Sequence, residues 1–167
     1  MKITTTAALL VTMAYAGAQK APDLAQGQWF NTAKPITKAD LKDHVAVVFF
    51  WTFDCINCKR SLPAMNRMYE RFAKQGVKFV GIHTPETQTE RKPANVRAAL
   101  TKEGIKFPVL IDNDAKNWYS WHQTAWPTVY LIDRHGNIRF SVVGELNFNG
   151  QNDEAKLDTE IEKLKQR

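Results

Sequence analysis

The sequence predicts an α/β domain built on a central mixed sheet, and three observations carry that prediction. Residues 44–51 (HVAVVFFW) form an unbroken apolar run without alternation, the pattern of a strand covered on both faces. Segments with apolar residues every three or four positions alternate with further short β-rich runs, as in a parallel core with crossover helices. Near the C-terminus two β-rich stretches, 128–132 and 138–143, flank Asp133-Arg134-His135-Gly136-Asn137, which has the turn chemistry of an antiparallel hairpin.

Taken in order, Gln28-Trp29-Phe30-Asn31 reads as a short edge strand and residues 37–43 as a helical turn. The buried run 44–51 ends at the two cysteines. Residues 58–74 place Leu62, Met65, Met68, Tyr69 and Phe72 on one helical face, stopped by Gly76. Residues 77–83 form a second buried strand, 93–102 a helix ended by Gly104, 108–111 a short strand, and 114–122 a short helix rich in aromatics. After the hairpin, residues 153–165 close the chain as an amphipathic helix. The order β-α-β-α-β-α-β-β-α gives a parallel core extended by a C-terminal antiparallel hairpin, with helices on both faces.

The chain has 167 residues, 44% hydrophobic and 24% charged, the composition of one ordinary globular domain. Its formal charge of +6 comes from 23 basic and 17 acidic residues, and the cations are scattered rather than gathered in a phosphate-binding arm. Nucleic acid is therefore not an expected partner. The opening MKITTTAALLVTMAYAGAQK has a cation at Lys2, a mostly apolar stretch over 3–16, and small residues at Ala14, Ala16 and Ala18. That is a secretory leader pattern, placing a signal peptide over 1–18 and one domain over 19–167, outside the cytoplasm in the periplasm or secreted. The apolar stretch is shorter than the roughly 20 residues a membrane-spanning helix needs, and an uncleaved anchor is the alternative.

Both cysteines lie in Cys55-Ile56-Asn57-Cys58, where the buried strand gives way to a helix. Backbone N–H groups and the positive end of the helix dipole favour a thiolate at such a position. With Lys59 and Arg60 adding to the field, Cys55 is the expected nucleophile, and the two-residue spacing lets Cys58 resolve a mixed disulfide on it. A buried structural disulfide would use the same pair, though its loop is short. Half a zinc site would need two further ligands from His44, His83, His122 and His135, none of which has a paired spacing with another His or Cys. A Cys-x-x-Cys beside a βαβ pattern reads as a redox motif.

Phe50-Trp51-Thr52-x-x-Cys55-x-x-Cys58, Pro63, Trp126-Pro127-Thr128, and Leu131-Ile132-Asp133-x-x-Gly136-x-Ile138 leading to Gly144 together resemble the thioredoxin superfamily, over residues 45–144. More narrowly, they are similar to its TlpA-type extracytoplasmic thiol-disulfide oxidoreductases. Gly81-Ile82-His83-Thr84-Pro85-Glu86 and Ile111-Asp112-Asn113-Asp114 are also similar to the thioredoxin-like C-terminal domain of DipZ-type proteins.

The resemblance implies a thioredoxin-like fold, a cis Trp126–Pro127 bond beside Cys55, and Glu86 as the proton acceptor for Cys58, with His83 the other group that could titrate there. It implies thiol-disulfide exchange with no bound cofactor or metal, cysteine-containing envelope proteins as clients, and a membrane electron donor, with reduction the favoured direction. Trp126, Asp54, Ile56 and Asn57 are the residues expected to meet the client.

Three departures or ambiguities accompany it. Asp54 stands where the family has an aromatic or small residue, and a carboxylate so near should oppose the Cys55 thiolate. Phe49 stands where cytosolic thioredoxins carry a buried acid. Trp118, Tyr119, Trp121 and Trp126 could line a substrate groove or simply fill the space between helix and sheet. Rival functions are a thiol peroxidase of the redoxin group, which would want a Thr and an Arg around its reactive cysteine, and a non-catalytic module that binds metal or acts as an adaptor.

Overall fold

The computed structural model describes residues 14–167, with side chains from residue 19 onward. Most of the expected leader therefore lies outside the described residues. Its end and the two residues that follow form an edge strand, β1 (Ala14–Lys20).

The remaining elements are β2 (Gln28–Phe30), α1 (Lys38–Leu41), β3 (Ala46–Trp51), α2 (Ile56–Phe72), β4 (Lys78–His83), α3 (Pro93–Lys102), β5 (Val109–Ile111), α4 (Lys116–Ser120), β6 (Thr128–Ile132), β7 (Asn137–Val143) and α5 (Asp153–Lys165). They build one seven-stranded sheet in the order β1-β7-β6-β3-β4-β5-β2. β3, β4 and β5 are parallel, β6 runs antiparallel to β3 and β7 antiparallel to β6, and β1 and β2 close the two edges antiparallel to β7 and β5. The mixed sheet and the hairpin agree with the sequence expectation, and β1 is an addition to it.

Every residue of β3 is buried, and its side chains alternate between two cores. Val47, Phe49 and Trp51 join a cluster with Leu62, Met65 and Met68 of α2, Val96 and Leu100 of α3, and Leu157 and Ile161 of α5. Ala46, Val48 and Phe50 join a second cluster with Trp121, Tyr130 and Ile132, against which Leu41 and Trp118 pack. Helices on both faces explain why the strand lacks alternation. β4 runs beside it in register, pairing Trp51 with His83, so both strands deliver their C-terminal ends to one rim of the sheet. Gly81 is needed there: a Cβ would come within 2.9 Å of Phe107 and 3.0 Å of Val109.

At the opposite rim a cavity of about 540 Å³ is lined by Leu24, Leu41, Trp121 and Ile132, well away from the cysteines. No helix among the described residues is long and apolar enough to cross a membrane.

Candidate active site

α2 begins two residues earlier than its apolar spacing suggests, because Cys55 itself is the N-cap. Its sulfur accepts the backbone N–H of Cys58 at 3.2 Å. Helix N-termini expose unpaired N–H groups, and here one of them is directed at the Cys55 sulfur. Cys55 is half-buried, Cys58 fully buried, and both are free thiols.

The two sulfurs are thereby driven apart electrostatically. The Cys58 thiol and the N–H groups of Cys58 and Asn57 bring Cys55 down from 9.0 to about 7, against burial and the charge of Glu86. Cys58 is pushed far up, first by burial, then by donating to Cys55, with Glu90 adding its charge. The result is one accessible thiolate over one buried thiol.

The predicted cis bond is present at Trp126–Pro127. Pairing of Thr128 with Phe50 brings the buried Pro127 to the end of β3, where the cysteine turn begins. Trp126 and Cys55 pack against the same core that contains Cys58 and Trp51. Trp126 is placed by Trp118, whose ring centroid lies 3.9 Å away. Trp118 is in turn placed by Asp112, which accepts its N–H at 3.0 Å along with the Asn117 N–H, the Asn117 side-chain amide and the Thr84 hydroxyl. The aromatic cluster thus divides: Trp121 is buried with Phe50 and Tyr130, while Trp118 supports the rim and Tyr119 is exposed.

Ile56, Asn57 and Asp54 are exposed around Cys55. Asp54 stands 3.9 Å from Lys59, and the carboxylate whose charge opposes the Cys55 thiolate is Glu86 instead. Glu86 is exposed. The carboxylate whose charge reaches Cys58 is Glu90, fully buried, which the sequence reading did not single out. Its oxygens accept from the Thr52 hydroxyl and from the N–H groups of Asp54 (2.9 Å), Glu86 (2.7 Å) and Thr87 (2.8 Å). His83, also buried, has Nε2 3.3 Å from the Thr52 oxygen, and lies against Trp51 and Phe53. A second Glu four residues after Glu86 was the available signal, but sequence gives no hint that the loop folds back under the cysteines. Among the described residues no group of three or more His, Cys, Asp or Glu could hold a metal ion.

A half-buried thiol and a buried one at a helix N-terminus, with a cis-proline on a mixed sheet, define the thioredoxin-like class. The chain belongs to the AhpC/TSA family, whose profile matches residues 18–141. It is 36% identical over 123 residues to protein DipZ of Mycobacterium tuberculosis, covering 72% of this chain and 18% of that one. It is 30% identical over 112 residues to the thiol-disulfide oxidoreductase ResA of Bacillus anthracis, covering 67% and 62%. The chain thus spans less than a fifth of the DipZ length. Among solved structures it is similar to a thioredoxin-like superfamily protein (TM-score 0.78, 28% identity, covering 88% of this chain and 96% of that one). It is also similar to a thioredoxin-family thiol:disulfide interchange protein from Chlorobium tepidum (TM-score 0.67, 26% identity, covering 90% and 99%).

Proposed function

We propose that this protein is an extracytoplasmic thiol-disulfide oxidoreductase that reduces disulfides of cysteine-containing client proteins through Cys55 and Cys58. The observation that carries the reading is the asymmetry of the pair, an accessible thiol brought down to about 7 above a buried one pushed far up. Low-pKa, partly exposed cysteines are the reactive ones, and structural cysteines are inert.

In the exchange, the Cys55 thiolate attacks one sulfur of the client disulfide. The client S–S bond breaks, and its electron pair leaves on the second client sulfur, which takes a proton. Cys58 then attacks Cys55 in the mixed disulfide and releases its own proton. The first client sulfur departs as a thiol, and Cys55–Cys58 is left as a disulfide, two electrons having passed to the client. A membrane-bound thiol donor would restore the pair. The exposed Ile56, Asn57 and Asp54 with Trp126 and Pro127 form the surface an extended client segment would meet. The secretory pattern of the first 18 residues supports placement outside the cytoplasm.

The AhpC/TSA match keeps the peroxidase reading in view. Against it, the Thr52 hydroxyl is committed to Glu90, and Arg60 pairs with Glu145 at 3.3 Å. The test is turnover of a disulfide-containing protein substrate with a small dithiol as electron source. Turnover lost in Cys55→Ser, with a trapped mixed disulfide in Cys58→Ser, supports exchange. Rapid peroxide consumption without disulfide turnover overturns it.

A further inference from the structure

We infer that Glu90 serves the dithiol as a fixed negative charge and not as a proton acceptor, and that Thr52 and His83 are the positioning residues that hold it so. The inference deepens the exchange reading above and rests on it.

Each Glu90 oxygen accepts two hydrogen bonds: Oε1 from the Thr52 hydroxyl and the Asp54 N–H, Oε2 from the N–H groups of Glu86 and Thr87. Four donors fill the four lone-pair sites of a carboxylate. A proton arriving there would set an O–H against a donor and leave a buried N–H unpaired, and a general base needs an open lone pair toward the group it deprotonates. The same bonds hold Glu90 below the usual carboxylate range.

The direction of the chain follows from chemistry alone. An ionised carboxylate only accepts, so the Thr52 O–H must donate to Glu90. The Thr52 oxygen is then left to accept from His83 Nε2–H. This fixes His83 as the neutral Nε2–H tautomer, whose buried Nδ1 has no partner. A second proton on His83 would create an unpaired buried donor, so the imidazole stays neutral and Thr52 cannot turn away.

The titratable groups around Glu90 are Cys58 on α2, His83 on β4, and Asp54 and Glu86 on the adjoining loops. Asp54 is turned toward Lys59 and Glu86 is exposed, which leaves Cys58 as the buried thiol that Glu90 biases. Phe49, fully buried, occupies the strand position where a family acid would stand. The charge adds to burial and to the Cys55 contact in keeping Cys58 protonated while Cys55 is a thiolate, and the Cys58 proton leaves to solvent during resolution.

Two experiments on the full chain test this. In reduced protein carrying δ-¹³C glutamate, the Glu90 signal, identified by its loss in Glu90→Gln, titrates below 4.5 and shows no inflection between pH 5 and 9. Thr52→Val moves that midpoint upward by about one unit, and Thr52→Ser restores it. A Glu90 midpoint between 6 and 9, or no movement in Thr52→Val, overturns the inference. In the second, a chromophoric aromatic disulfide reports Cys55 attack as a first released thiol and Cys58 resolution as a second. Glu90→Gln speeds the second phase severalfold relative to the first at pH 7, whereas a tenfold slowing of the second relative to the first makes Glu90 a base. Should Glu90→Gln fail to fold, the Thr52→Val and Thr52→Ser pair carries the titration test. Failure of the unsubstituted protein to release the second thiol removes the exchange reading itself, a result separate from where Glu90 titrates.

Discussion

Cys58 donates its backbone N–H to the sulfur of Cys55 at 3.2 Å, so the backbone of the buried cysteine stabilises negative charge on the accessible one. The bond arises because Cys55 is the N-cap of α2 and Cys58 lies on its first turn. The same turn that buries one sulfur therefore activates the other.

The first prediction concerns that activation. With Cys55 brought from 9.0 to about 7, roughly half of it is thiolate at neutral pH, against about one part in a hundred for an unperturbed thiol. Alkylation rates of reduced Cys58→Ser protein should rise with a half-point near pH 7 to 8, the loss of the Cys58 thiol donor accounting for any upward drift. A half-point above 9 would mean that the helix terminus contributes nothing.

Acid stability follows from His83 and Glu90. Burial lowers His83 from 6.5 to about 4, so between those values the unfolded chain binds a proton that the folded one does not. Stability is therefore full above pH 6.5 and falls as pH drops toward 4, by about 3 kcal/mol from this group alone. Glu90, lowered in the folded state, contributes in the same sense, its share present above 4.5 and lost as pH falls through its folded value. Denaturant midpoints measured from pH 7 to 4 should decline steadily, and His83→Asn should flatten the upper part of that decline.

Asp112 links β5 to the rim through four donors, and it is only 4% exposed. Asp112→Ala strands buried donors at a cost of about 2 to 4 kcal/mol. Because Trp118 loses its anchor and Trp126 its stacking partner, the rate with a protein disulfide should fall more than the alkylation rate of Cys55. Equal losses in both would mean that the tryptophan pair does not touch the client.

Phe49→Asp restores the acid that cytosolic thioredoxins carry on this strand, but into a different environment. Phe49 is fully buried, stacked on Trp51 and edge-on to Phe107. The substitution should destabilise the protein by at least about 3 to 5 kcal/mol, the cost of the lost ring with an unpaired charge added. Improved exchange in a folded Phe49→Asp protein would contradict the assignment of the buried carboxylate role to Glu90.

Much of the fold was legible because its signals are local. The unbroken apolar run marked β3, the spacing of Leu62, Met65, Met68 and Phe72 marked α2, and Asp133 with Gly136 marked the hairpin. α3, β6 and α5 fall where the periodicity put them. β1 was missed because residues 14–18 fit the small-residue end of a secretory leader, and its place is set by pairing with β7. The same limit applies at the site. Cys55 and Cys58 are neighbours in sequence and could be read together, whereas Thr52, His83 and Glu90 come from β3's end, β4 and the following loop. Their juxtaposition depends on the register of β3 on β4 and on a turn after β4 whose residues look like ordinary surface.

The equilibrium reduction potential of the Cys55–Cys58 pair, titrated against a thiol-disulfide buffer and followed by tryptophan fluorescence, shows whether the pair works as a reductant. Modest stabilisation of the Cys55 thiolate, with Cys58 kept as a thiol, predicts a value near that of thioredoxin, roughly −270 mV. A value near about −120 mV would make the protein an oxidant of its clients, and a pair resisting reduction well below about −300 mV would be a structural disulfide with no part in exchange.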